Sequence, residues 1–159
     1  MRALPPFAIL LGLAGLLPFL AGSYAALAYA DDAGRMALLA LAAYGATILA
    51  FLGGVHWGVA LQAAAGQSVR VQRIRFGLSV VPSLIGWGAL LVVLVGLPKT
   101  GLVLLIAGFT ATTVVEARGT RAGLVPAGYM GLRWVLSIVV VVCLLSVVIV
   151  QALGGRVIL

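Results

Sequence analysis

Charged side chains are scarce in this sequence, and acidic ones are the scarcest. Charged residues make up 8% of the 159 residues, and only three of them are Asp or Glu. A soluble domain carries about 25% charged residues, and a globule of this size leaves a sizeable fraction of its surface in water. Because 64% of the residues are hydrophobic, the composition excludes a soluble fold and indicates that the bilayer is the solvent.

The sequence has one cysteine and one histidine, which limits its metal and redox chemistry. Cys143 has no second cysteine with which to form an internal disulfide or a thiolate metal site. Its apolar surroundings predict a small packing residue. His56 has no second histidine at helical spacing, so paired-histidine haem and bound zinc are not expected. We predict no metal site and no cofactor.

Long apolar runs dominate what is present. Five stretches reach or approach the roughly 20 residues that a helix needs to cross about 30 Å of hydrocarbon. Backbone groups in lipid must be satisfied within the segment, so these stretches are expected to be helices. We predict an all-α integral membrane bundle of five transmembrane helices, forming a single domain over residues 1–159. The helices are expected at about 7–30, 36–62, 76–97, 101–115 and 133–153.

The first apolar run also has features of a secretory signal. Ala28 and Ala30 precede two aspartates and fit an Ala-x-Ala cleavage pattern. The apolar stretch is longer than twenty residues, whereas the apolar region of a signal peptide has about 7–15. We therefore expect the first helix to be retained.

Basic residues are distributed unequally between the two ends of the predicted helices. Seven of the ten fall on the side that carries the N-terminus, and three fall on the other side. Because cytoplasmic loops carry the excess of Lys and Arg, we predict a bacterial inner membrane protein with its N-terminus inside and its C-terminus outside. The seven are Arg2, Arg70, Arg73, Arg75, Arg118, Arg121 and Arg133, and the three are Arg35, Lys99 and Arg156.

Small residues recur every four positions along the second predicted helix. The set is Ala42, Ala46, Ala50, Gly54 and Gly58. Steps of four follow one ridge of a helix, and small side chains let helix backbones approach closely in lipid. We predict a helix-helix seam here, either with another helix of the chain or with another protein. The alternative is a chance pattern in an alanine-rich helix.

A histidine, an acid and a base are expected at one level of the bundle. His56 points away from the small ridge and lies six residues before Gln62, about 9 Å from the helix end at 1.5 Å per residue. Glu116 and Arg133 lie at the inner ends of the fourth and fifth helices. We predict a cluster suited to an ion pair, a lipid head group or a proton path. Hydroxyl candidates at this depth are Ser79, Ser83 and Thr112.

Each member of this cluster also has a simpler interpretation. The imidazole of His56 could reach the head-group region, next to Trp57, which we predict to be an interfacial anchor. Glu116 could be a solvated loop carboxylate, and Arg133 could be an ordinary basic anchor. Helical serines bond more often to their own helix carbonyls than to a ligand.

Three ordered segments resemble a known family. They are "YGATILAFLGGVHWGVAL" (44–61), "RFGLSVVPSLIGWGALLV" (75–92) and "GLVPAGYMGLRWVLSIVVVVCLL" (123–145). They resemble a bacterial domain-of-unknown-function family, numbered three-four-two-nine, which also includes a mitochondrial inner-membrane protein of animals. The resemblance implies a five-helix inner-membrane protein but supplies no substrate and no catalytic residue. The characteristic segments that it implies contain Gly53, Gly54, His56, Trp57, Pro82, Trp87 and Arg133.

Missing catalytic patterns favour a role in binding or interaction. No Gly-rich phosphate loop follows a strand, and Asp31 and Asp32 are predicted across the membrane from His56, so no Ser/His/Asp set forms. The basic residues are spread between apolar runs, so nucleic-acid binding is not expected. We predict a non-enzymatic accessory or assembly subunit that docks on a membrane-protein partner or a second copy through the small-residue ridge. The alternative is a small transporter or a lipid- or quinone-binding protein that uses the polar cluster.

Overall fold

The described part of the chain is helical throughout. The computed structural model describes residues 5–29, 31–62, 69–121 and 127–154. Five helical spans in this part are long and apolar enough to cross a membrane, and α1 and α2 together form the first. The prediction of an all-α protein with five such spans is confirmed. The helices are α1 (Pro6–Ala14), α2 (Leu17–Ala28), α3 (Asp31–Gln62), α4 (Val69–Leu94), α5 (Pro98–Arg121) and α6 (Ala127–Ala152).

The first span is interrupted near its middle, close to Pro18, where the sequence predicts a kink. α1 ends at Ala14 and α2 begins at Leu17. Pro18 has no backbone N–H, so it cannot donate to the carbonyl of Ala14. The hydroxyl of Tyr44 on α3 donates to the carbonyl of Gly15 at 3.0 Å. The interruption is therefore tied to α3 by a side-chain hydrogen bond.

Several helices are longer than hydropathy predicted. α3, α4 and α6 begin earlier than expected, at Asp31, Val69 and Ala127, and α5 continues to Arg121. Hydropathy marks the part of a helix in hydrocarbon, whereas charged residues can continue the same helix into the head-group region. As a consequence, Glu116 lies inside α5 and not in a loop.

A tight turn joins α4 to α5. Gly96 adopts a φ of 87°, and its N–H donates to the carbonyl of Val93 at 3.0 Å. The N–H of Leu97 donates to the carbonyl of Val92 at 3.1 Å. These two bonds form a Schellman motif, which ends a helix with a glycine in the left-handed region. The turn makes α4 and α5 antiparallel neighbours, so the far end of α5 returns to the level at which α4 begins.

α3 and α5 form the centre of the bundle. α3 contacts α2, α4 and α5, while α5 also contacts α6, and α6 contacts α2. The ring of Phe19 packs edge-on against Tyr44 and Phe109, with centroids 5.0 and 5.8 Å apart. This packing joins α2 to the middle parts of α3 and α5. The remaining core includes Leu38, Leu41, Leu49, Leu102, Leu105 and Leu144.

The outer surface of the helices is apolar. On α6, Trp134, Ile138 and Val142 are 44%, 55% and 58% exposed. A soluble monomer rarely exposes a continuous apolar surface of this kind, whereas lipid chains would cover it. Together with the five spans, this surface identifies a multi-pass membrane protein.

Candidate functional site

Three ionisable side chains meet where α3 and α5 end and α6 begins. Nε2 of His56 lies 2.8 Å from Oε1 of Glu116. Nε of Arg133 donates to Oε2 of the same carboxylate at 2.5 Å. The two oxygens of Glu116 therefore bind partners from two different helices. The structure brings three of the predicted cluster residues into direct contact, and we call them the ion triad.

Helix periodicity explains why these side chains point inward. His56 follows buried Leu49 and Leu52 at spacings of seven and four residues, so all three share one face of α3. On α5, Glu116 follows buried Phe109 by the same seven residues. The antiparallel helix order then brings these two faces to the beginning of α6, which carries Arg133.

The acid and the base of the ion triad are buried. Glu116 and Arg133 are 3% and 4% exposed, and the side chain of His56 is 28% exposed. The simpler interpretation of Glu116 as a solvated loop carboxylate is therefore wrong. Isolated charges in this environment are expensive, and pairing offsets the cost. Losing one partner would leave an uncompensated buried charge, so the triad links the ends of α3, α5 and α6.

One donor group of Arg133 has no acceptor in this arrangement. Its Nη2 is buried, and no hydrogen-bond partner is found for it among the described residues. A guanidinium carries five N–H donors and accepts none. Leaving a buried donor unpaired costs about 1–3 kcal/mol. Nη2 therefore marks a place where an oxygen acceptor would be stabilised.

An apolar cleft of about 370 Å³ lies beside Arg133. Its wall comes from α1, α2, α3, α5 and α6, and its polar side chains are those of Arg133 and Ser137. Leu11 and Phe51 line the cleft and are 56% and 65% exposed, so the cleft opens on the apolar outer surface. An apolar cavity of this size with a few polar groups is typical of a ligand site. Its inner wall includes Leu16, Phe19, Leu52, Phe109, Leu136 and Val140.

A pair of hydroxyls lies one turn from Arg133. Oγ of Ser137 is 2.7 Å from Oγ1 of Thr113, and Thr113 donates its proton to the carbonyl of Phe109 at 2.9 Å. Either hydroxyl could donate to the other. Ser137 is also one of the residues that line the cleft. Spacing along one helix did not predict Thr113, because its partner is on another helix.

Most of the chain matches a known protein family. The family described as "Protein of unknown function (DUF3429)" matches residues 4–149. The chain belongs to this family. The resemblance inferred from the three sequence segments is therefore confirmed.

The DUF3429 chain is also similar to an animal protein. Transmembrane protein 69 of Xenopus tropicalis is 39% identical over 95 residues, which cover 55% of this chain and 33% of that relative. The match thus spans about a third of the length of the relative. No solved structure matches this DUF3429 protein.

The predicted hydroxyl residues do not bond to the ion triad in the described structure. Ser79 donates to the carbonyl of Phe76, and Thr112 donates to the carbonyl of Gly108, each at 2.7 Å. Both hydroxyls thus satisfy carbonyls of their own helices, which was the simpler interpretation of the serines. Ser83 is half-buried and faces α3.

Trp57 lies close to the triad but faces outward. Its side chain is 43% exposed, and its ring packs edge-on against Phe76 of α4 with centroids 4.9 Å apart. An exposed indole near the end of a membrane helix fits the predicted interfacial position.

The predicted small-residue ridge is divided into a packed half and an open half. Ala42 is buried in the core, and Ala46 lies against Gly86 of α4, where an added Cβ would be 2.9 Å from the carbonyl oxygen of Ala46. Beyond Ala46 the ridge turns outward, and its remaining members are exposed. A Cβ added at either glycine of this half would meet no atom of the described residues within 4 Å. The open half is Ala50, Gly54 and Gly58.

Proposed function

We propose that this DUF3429 protein binds a membrane-soluble amphiphile in the cleft beside Arg133 and catalyses no reaction on it. The observation that carries the proposal is the buried Nη2 of Arg133, which has no partner among the described residues and belongs to a side chain in the cleft wall. An oxygen of the bound molecule would complete the hydrogen bonding of the guanidinium.

The cleft offers separate surroundings for the two ends of such a molecule. The head group would lie at Arg133 and Ser137, and the apolar chain would lie against the leucine and phenylalanine side chains of the wall. The exposed rim at Leu11 and Phe51 gives access from the lipid. The molecule would therefore enter sideways from the bilayer, without crossing an aqueous phase.

Filling the mouth of the cleft tests this proposal. Ala8 is exposed and lines the cleft, so Ala8→Trp should occupy the entrance without disturbing the core. The full chain would be purified in a mild detergent and analysed by native mass spectrometry and lipid extraction. We expect the wild type to retain an amphiphile at fixed stoichiometry and Ala8→Trp to lose it.

The matched control is Ala14→Trp. Ala14 is an exposed alanine of the same helix that does not line the cleft, so this variant should retain the amphiphile. If the wild type carries no amphiphile at fixed stoichiometry, or if Ala8→Trp retains as much as Ala14→Trp, the cleft is not a binding site.

A second candidate function is the accessory subunit, and the open half of the small-residue ridge favours it. Gly54 and Gly58 are exposed, and in the described part of the chain no atom lies within 4 Å of a Cβ added at either position. Small residues in lipid permit close approach of another helix. A membrane-protein partner or a second copy could therefore pack there.

The test is Gly54→Leu, with Gly77→Leu as a control at an exposed glycine of α4 that also has open space around it among the described residues. Loss of a co-purifying partner in the first variant alone would support docking.

The proposal includes a location and an orientation. Seven of the ten basic residues fall on the predicted N-terminal side, which favours a bacterial inner membrane protein with its N-terminus in the cytoplasm. Arg2 and Arg156 lie outside the described residues. Labelling of single cysteines placed at Asp32 and at Arg118 by an impermeant reagent tests this, because the two should be accessible from opposite sides.

A further inference from the structure

We infer that α1 is a hinged lid over the cleft, and that it moves about Gly15 to admit a ligand from the lipid. This inference rests on the proposed function, because a lid has a role only if the cleft binds a molecule. It depends on which wall of the cleft α1 forms, on how α1 is held and on where the first span is interrupted.

α1 forms the outer wall of the cleft. Ala8, Leu11 and Gly12 line the cleft from α1, and none of the residues of α1 is buried. The walls that α3 and α6 provide include the buried side chains of Leu52 and Val140. The cleft therefore lies between an exposed half-helix and the packed core of the bundle.

Apolar contacts hold α1 against the bundle. Its sequence is PFAILLGLA, which contains no polar side chain. It packs chiefly against α6, where a Cβ added at Gly12 would lie 3.3 Å from Cδ1 of Leu136. Lipid chains are as apolar as leucine. α1 can therefore exchange its contacts with α6 for contacts with lipid or with a ligand at little cost in free energy.

α2, the other half of the same span, is held much more firmly. Its buried residues are Phe19, Ser23 and Ala26. Oγ of Ser23 donates to the carbonyl of Cys143 on α6 at 3.3 Å. α2 therefore belongs to the core, whereas α1 lies on its surface.

The interruption between the two halves provides the hinge. α1 ends at Ala14, whose carbonyl receives no hydrogen bond from Pro18 because proline has no N–H. The loss of such a bond is a common cause of bending in a helix. The hydroxyl of Tyr44 binds the carbonyl of Gly15, so the hinge point itself is attached to α3. Because α1 extends from this point along the cleft, its movement would widen the mouth of the cleft.

A reversible lock between α1 and α6 tests the lid. Gly12→Cys and Leu136→Cys would be combined with Cys143→Ala, so that oxidation joins the two helices and dithiothreitol releases them. If the disulfide does not form, a short bis-methanethiosulfonate reagent joins the same two thiols. Dioleoylglycerol and dioleoylphosphatidic acid would each be offered to the delipidated full chain in dodecyl maltoside, so that the result does not depend on the charge of the head group. Native mass spectrometry would follow their uptake.

We expect the locked chain to take up a probe at least about tenfold more slowly than the same chain after reduction. A probe that is loaded before the lock is closed should remain bound through washing that removes it from the reduced chain, because the lid closes over it. The control is Gly12→Cys with Cys143→Ala, in which the oxidant should not change the rate of uptake.

Spin labels measure the motion of the lid without a ligand. One label would be placed at Lys99→Cys on α5, and the other at Leu10→Cys on α1 or, as a control, at Leu20→Cys on α2, each with Cys143→Ala. Leu10 and Leu20 are both exposed, and neither lines the cleft. Double electron-electron resonance in phosphatidylcholine nanodiscs should give a broad distance distribution for the label on α1 and a narrow one for the label on α2.

The outcomes separate the lid from the proposed function. If the locked and reduced chains take up a probe equally fast, or if the label on α1 is as well ordered as the label on α2, α1 is a fixed wall and the cleft remains a binding site. Expulsion of a preloaded probe by the lock would also contradict a lid that closes over its ligand. If the paired variant does not fold, the spin labels decide by themselves. If neither probe enters the wild type and no amphiphile co-purifies with it, the proposed function fails and the lid fails with it.

Discussion

The two faces of the second half of α3 have similar residues and opposite surroundings. On the inner face, a Cβ added at Gly53 would clash with the carbonyl oxygen of Ser79 on α4. On the outer face, a Cβ added at the adjacent Gly54 would meet none of the described atoms within 4 Å. His56 belongs to the inner face and contacts Glu116, whereas Gly58 is open like Gly54.

This difference shows what selects the buried face of a helix in lipid. Lipid chains are as apolar as leucine, so burial of apolar surface does not decide which side of α3 turns inward. The charged partners of His56 and the close backbone contact at Gly53 do decide it. Small residues alone permit a seam, but a seam forms only where a second backbone is held against them.

The largest expected effect comes from removing the polar anchor of the inner face. Glu116→Ala leaves Arg133 as an uncompensated buried charge, and we expect the free energy of unfolding to fall by about 3–5 kcal/mol. Unfolding by added dodecyl sulfate in mixed micelles measures this. Asp32→Ala is the control, because Asp32 is an exposed carboxylate.

A loss of less than about 1 kcal/mol in Glu116→Ala would contradict this account of the inner face. The ion triad would then behave like a surface ion pair, and the position of α3 would have to come from the apolar packing alone. The inner and outer faces of α3 would then differ only in how closely the backbone of a neighbouring helix approaches them.

An intermediate effect is expected from exchanging the two adjacent glycines for alanine. Gly53→Ala forces a Cβ against the backbone of α4, which cannot move without shifting the helix, and we expect a loss of about 1–3 kcal/mol. Gly54→Ala adds the same methyl group to open space and should cost nothing measurable. The same micelle titration compares them. Equal losses in the two variants would show that a methyl group added to this part of α3 lowers stability by the same amount on either face.

The fold was largely predictable from the sequence, because lipid imposes simple requirements on length and hydropathy. The five spans follow from apolar runs. Helix ends were predicted less well, since charged residues such as Arg73 and Arg118 continue α4 and α5 beyond the apolar runs. Pro18 indicates a kink in the first span, whereas no local pattern in the sequence indicates the hydrogen bond from Tyr44 to Gly15.

The site was predictable only in part, and the reason is chemical. Ionisable residues are so costly in lipid that their presence already indicates a cluster, and this rule found His56, Glu116 and Arg133. The cleft was not predicted, because it arises where five helices leave a space between them. Thr113 was missed for a similar reason, since its partner Ser137 comes from another helix.

The smallest expected effect tests whether burial or the kind of neighbour makes Gly53 sensitive. Gly45 is also a buried glycine of α3, but the three atoms nearest to a Cβ added there would all belong to the side chain of Leu105, with Cδ1 at 3.0 Å. The end of a leucine side chain can shift, and alanine is favoured over glycine in a helix by about 1 kcal/mol. Gly45→Ala should therefore stay within about 1 kcal/mol of the wild type in the micelle titration. A loss as large as that of Gly53→Ala would mean that any added volume in this core is costly, and the contact with the α4 backbone would lose its special role.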